Sequence, residues 1–131
     1  MSDSSRYFYD SSALVKLYVE ESGSARALDI LESSSAGEII ISRLAPVEVA
    51  SALVRRSRQG DFGEEQLTTA LGLLDSDVER RCQVVEVGGA TMLRAMSLVR
   101  RYALRAADAI HLACALLVRG DAGEAESFAL V

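Results

Sequence analysis

Three acidic residues, Asp10, Glu48 and Asp108, interrupt apolar or small-residue stretches of this chain at places where secondary-structure elements should meet. Asp10 ends the aromatic run Tyr7-Phe8-Tyr9, Glu48 sits inside Pro46-Val47-Glu48-Val49-Ala50, and Asp108 opens the apolar segment Ala109 to Val118. A partly buried carboxylate is costly unless it is paired or coordinates a metal, and no Lys or Arg lies within four positions of Glu48. A shared divalent cation would compensate all three. Carboxylate oxygens are the right ligands for a hard cation such as Mg²⁺, which keeps several waters. Such an ion suits phosphodiester hydrolysis, because it polarises a phosphoryl oxygen, acidifies water and steadies the leaving oxygen.

The elements that would have to position these acids can be read from periodicity. Arg6 to Asp10 reads as a strand, and Ser11-Ser12 start a short helix through Tyr18. Ser24 to Ser33 has Ala27, Leu28 and Leu31 at helical spacing. Ile39-Ile40-Ile41 is a continuous apolar strand, as expected for a parallel strand covered on both faces. Ser42 is expected to cap a helix running to about Gln59, with Pro46 tolerated in its first turn. Further helices are expected over Glu64 to about Glu79, Ala90 to Tyr102 and Ala107 to Val118, with strands at Val84 to Val87 and Ser127 to Val131. The alternation predicts an α/β protein with a parallel sheet. Its three acids then fall on the carboxyl edge of the sheet, where open α/β folds gather their ligands.

Composition narrows the classes. With 131 residues, half of them hydrophobic, the chain has the make-up of one globular domain. The N-terminal Met1-Ser2-Asp3-Ser4-Ser5 has no basic-then-apolar pattern of a signal peptide, and a cytoplasmic location is expected. The net charge of -5 argues against bulk electrostatic attraction to nucleic acid and leaves only a local basic patch for that purpose. Cys82 and Cys114 form no paired motif and read as buried small hydrophobes.

Three segments together resemble a known family. Tyr9-Asp10-Ser11-Ser12-Ala13-Leu14-Val15-Lys16-Leu17-Tyr18, Val47-Glu48-Val49-Ala50-Ser51-Ala52-Leu53 and Arg105-Ala106-Ala107-Asp108-Ala109-Ile110-His111-Leu112-Ala113 are similar, in order and spacing, to the PIN-domain ribonucleases and most closely to VapC-type toxins. The resemblance implies a three-layer α/β/α sandwich around a parallel sheet, forming a single PIN-like domain over residues 1–131. It also implies Mg²⁺- or Mn²⁺-dependent cleavage of RNA, a homodimer, and inhibition by a cognate antitoxin protein. Asp10 and Asp108 match the family's metal-binding acids, Glu48 its second acidic position, and Ser11 or Ser12 a hydroxyl that supports the first acid. The family pattern has a fourth acid after the last strand. No residue before Val131 matches it, so a C-terminal segment is expected to be missing from this sequence.

Each acid also has an ordinary reading: Asp10 and Asp108 as helix N-caps, Glu48 as a first-turn carboxylate favoured by the helix dipole. His111, the sole histidine, reads as a packed, hydrogen-bonded side chain, and without a positioned partner it supports no Ser-His-Asp chemistry. Glu20 and Glu21 read as a solvated turn. Arg55, Arg56, Arg58, Arg100, Arg101 and Arg105 are candidates for phosphate contacts or for plain surface solvation. Tyr18, Phe62 and Tyr102 are candidates for base stacking or for packing. Two other classes share this outline: a non-catalytic PIN-fold module that binds protein or RNA, and a phosphoacceptor receiver domain. The receiver lacks its late lysine, since Lys16 is the only one.

Overall fold

The computed structural model describes residues 5–122 and 127–130. Strands β1 (Ser5–Phe8), β2 (Ile39–Ser42), β3 (Cys82–Val85) and β4 (Ser127–Leu130) form one sheet in the order β3-β2-β1-β4. All three pairings are parallel, with Phe8 opposite both Ile40 and Leu130, and Ser42 opposite Val85. Parallel neighbours require crossovers, and six helices supply them: α1 (Ser11–Val15), α2 (Ser24–Ser33), α3 (Ala45–Arg58), α4 (Glu64–Arg80), α5 (Gly89–Tyr102) and α6 (Ala106–Ala122).

Every residue of β2 is buried, which is why its sequence is continuously apolar up to Ser42. Side-chain alternation along the strands divides the core in two. Tyr9, Ile39 and Ile41 face α1 to α4 and pack with Leu14, Leu31, Val49, Leu53 and Leu74. Phe8 and Ile40 face the other way, against Cys114, Ala115 and Val118 of α6, and α5 covers α6 through Ala95, Ala109 and Ala113. Two helical layers thus sandwich a parallel sheet, as expected.

Several boundaries differ from the sequence reading: β1 ends at Phe8 and not Asp10, and α1 at Val15 and not Tyr18. The third strand runs from Cys82 to Val85 because Ile39 recruits Cys82 as its partner, while β2 ends at Ser42, where Arg43 N–H closes the ladder on the Val85 carbonyl at 2.9 Å. Helix α3 starts at Ala45, not after Ser42, and its N-cap Leu44 contributes no side-chain bond. Ser42 remains the last residue of β2 and is fully buried. Val131, assigned above to the final strand, lies outside the described residues.

The charged turn after α1 is structural. Glu21 is not merely solvated: it accepts from Lys16 Nζ at 3.0 Å and from Arg56 Nη1 at 3.1 Å, tying this turn to α3. The Lys16 bond holds the Glu21 carboxyl below its usual value, with Arg56 adding to the effect and burial opposing it. Arg56 also reaches Asp61 at 3.2 Å, so it is committed within the fold. Tyr9, wholly buried, donates to the Ala27 carbonyl at 2.7 Å, and burial pushes its hydroxyl up to about 12. Tyr18 donates to Asp77 Oδ2 at 2.8 Å and Phe62 packs against the core, so both serve packing as their ordinary readings expect. Tyr102 is exposed, with the Arg101 guanidinium 5.4 Å from its ring centre.

Candidate active site

Asp10 lies two residues past Phe8, the end of β1. Its backbone is extended, and its Oδ1 accepts from the Ala13 N–H at 2.9 Å, so the residue is the N-cap of α1. The capping reading of Asp10 therefore holds, and it leaves the second carboxylate oxygen available. By strand alternation Asp10 continues the side of the sheet on which Phe8 lies, the side covered by α6. Ser42 stands in the same relation to Ile40 on the neighbouring strand. With Phe8 opposite Ile40, these two residues extend adjacent strands past the same carboxyl edge.

Glu48 is in the first turn of α3 and half-buried. Asp108 is in the first turn of α6, as its third residue, and is exposed. The premise that all three acids are partly buried is corrected here: it holds for Asp10 and Glu48 only. The start of α6 lies at the rim of the layer, so Asp108 stays in water while the next residue, Ala109, is completely buried.

His111 connects these elements. One helical turn beyond Asp108 and buried, it makes a short hydrogen bond through Nε2 to Glu48 Oε1, while its Nδ1 lies 2.9 Å from Ser42 Oγ. The bond to Glu48 brings the first turn of α3 against the first turns of α6. The sequence reading of His111 as a packed, hydrogen-bonded side chain agrees with this, but it missed both partners. The available signal was the i, i+3 spacing from Asp108 together with a lone serine ending an isoleucine strand. The Ser42-His111-Glu48 chain is not a nucleophilic triad, since Ser42 is sealed from solvent and no substrate carbonyl can reach its oxygen.

Residues 7–122 match the PIN domain. This chain belongs to the PIN-domain family. It is 39% identical over 116 residues to ribonuclease VapC45 of Mycobacterium tuberculosis, covering 88% of this chain and 78% of that protein. In fold, this PIN domain is similar to the crystal structure of Mycobacterium tuberculosis VapC20, a sarcin-ricin loop cleaving toxin, with a TM-score of 0.64 at 18% identity over 88% of this chain and 82% of that one. It is also similar in fold to a chain of the Rickettsia felis VapBC2 complex bound to promoter DNA, with a TM-score of 0.60 at 10% identity over 95% and 98% of the two chains.

The acids of this PIN domain are chemically suited to a hard cation, offering carboxylate oxygens alone. Asp10 has one oxygen committed to the α1 cap and Glu48 one committed to His111. Among the described residues, no group of three or more His, Cys, Asp or Glu side chains is arranged to hold a metal ion. Mg²⁺ does not require such a cage, because at phosphoryl-transfer sites one or two carboxylates commonly hold it together with water and substrate phosphate. Cys82 and Cys114 are free thiols outside this edge, and burial raises both, Cys82 to about 12. Among the described residues no helix is long and apolar enough to cross a membrane.

Proposed function

We propose that this PIN domain is a metal-dependent ribonuclease and the toxin of a toxin-antitoxin pair. The observation that supports the reading most is 39% identity over 116 residues to a named ribonuclease, and the His111–Glu48 bond, which ties the helix of Glu48 to the helix of Asp108, agrees with it. Asp10 and Asp108 would hold Mg²⁺ or Mn²⁺. When bound, that ion would supply Lewis-acid polarisation of the RNA phosphate and offset its charge. Glu48 would orient the attacking water and take its proton on Oε2, since Oε1 is occupied by His111. Arg100, Arg101 and Arg105, exposed near the α5–α6 corner, would contact RNA phosphates on the approach to Asp108.

The partners are an antitoxin protein and a second copy of this chain, acting in the cytoplasm. A chain of similar fold occurs in a solved toxin-antitoxin complex from Klebsiella pneumoniae, and the exposed Met92, Leu93, Met96 and Val99 of α5 form apolar surface of the kind partners cover. The test is incubation of the purified chain with end-labelled RNA, in Mg²⁺ and in EDTA, beside Asp108→Asn. Cleavage by the wild type in Mg²⁺ alone, absent from the variant, is the expected result. Mg²⁺-independent cleavage, or equal cleavage by Asp108→Asn, would overturn the metal-site assignment. No cleavage by a folded wild type would favour a non-catalytic binding module.

A further inference from the structure

We propose that Ser42 and His111 are positioning residues that hold the Glu48 carboxylate in one orientation for RNA hydrolysis, an inference that rests on the ribonuclease reading above. The direction of the hydrogen bonds fixes the relay. Ser42 is fully buried, and its hydroxyl has one hydrogen-bond partner among the described residues, His111 Nδ1 at 2.9 Å. A buried O–H left without an acceptor is strongly disfavoured, so Ser42 donates and Nδ1 is the unprotonated ring nitrogen. The ring proton then sits on Nε2 and is donated to Glu48 Oε1. In the neutral ring, a proton on Nδ1 would face the serine hydroxyl and leave Nε2 with no hydrogen to offer the carboxylate.

The anchor of this relay is rigid. Ser42 ends a central strand, is paired with Val85, and cannot move without breaking the ladder. His111 is packed into α6, and only Glu48 at the outer end is partly open, its side chain 29% exposed. One carboxylate oxygen is thereby fixed and the other is left for the reaction. The relay also sets the spacing between Glu48 and Asp108, because Asp108 and His111 lie one turn apart on the same side of α6. A purely structural role explains the pattern less well. An apolar side chain would fill the position of His111 without a buried ring whose two nitrogens both need partners.

His111 is the only histidine in the chain, so ¹⁵N ring spectra of tag-free protein report on it alone. The expected spectrum is a single tautomer protonated at Nε2, with Ser42→Ala mixing the two tautomers. In RNA cleavage, kcat should fall about tenfold in Ser42→Ala and about a hundredfold in His111→Ala, with KM nearly unchanged. His111→Gln should recover most of that loss, because its amide nitrogen can reach the Nε2 position and donate to Glu48. A ring proton on Nδ1 in the wild type would overturn the relay. So would a His111→Gln variant as defective as His111→Ala when both unfold as cooperatively as the wild type. A wild type that cuts no RNA would defeat the nuclease reading and the kinetic consequence together, while the ring spectrum would still decide the orientation of Glu48.

Discussion

Asp10 has one observed role and one proposed role, and a pair of substitutions separates them. Its Oδ1 caps α1 through the Ala13 N–H at 2.9 Å, while its charge is the one proposed above to hold the metal. Helix α1 has only five residues, so its end groups matter more than in a long helix. Asp10→Asn retains a carbonyl oxygen that caps as well as Asp, whereas Asp10→Ala removes the cap at a cost of about 1 kcal/mol. With unfolding entropy near 2.1 cal/mol/K per residue, a chain of 131 residues shifts its Tm by about 4 °C for each kcal/mol. Thermal unfolding should therefore place Asp10→Ala about 4 °C below the wild type and Asp10→Asn within about 1 °C of it. Both should lose RNA cleavage by roughly 10²–10³-fold, the scale of losing one preorganised electrostatic contact. Wild-type cleavage by Asp10→Asn would refute the chemical role, and equal destabilisation of the two variants would refute the capping role.

Two further outcomes follow from the fold. Glu21→Gln should lower stability at pH 7 by up to about 1 kcal/mol, by loss of charge pairing with Lys16 and Arg56. The folded carboxyl lies below its usual 4.5, so its contribution is fully present above that value and disappears as pH falls through the folded value; urea unfolding at pH 7 and pH 3 should show the difference between variants closing. Ala103 closes α5 with φ of 53°, a left-handed conformation that disfavours a β-carbon. Ala103→Gly should raise stability by about 0.5–1 kcal/mol, and a Tm that does not rise would contradict that backbone conformation.

What could be read in advance was what periodicity and local chemistry encode. Helix α2 runs from Ser24 to Ser33 as its apolar spacing indicated, and the buried Ile39-Ile40-Ile41 belongs to a strand covered on both faces. Asp10, Glu48 and Asp108 stood out because acids are unusual inside such segments. The missed features depend on pairing across the sheet. The third strand shifted toward Cys82 because its partner fixed the register, and nothing local in Val84-Val85-Glu86-Val87 records where β2 ends. In sequence Ser42 reads as a helix cap because serine before a helical pattern commonly is one. Its real partner is 69 positions away, on a helix that meets it only after the sheet has formed. Glu21 likewise reads as solvated because its second partner, Arg56, lies 35 positions along the chain.

Acids from distant segments are proposed to serve one divalent ion. Mn²⁺ titration followed by electron paramagnetic resonance tests it without any substrate. The wild type should bind the ion, and Asp10→Asn and Asp108→Asn should each weaken binding by about tenfold or more while unfolding as cooperatively as the wild type. Equal Mn²⁺ affinity in all three proteins would contradict the account.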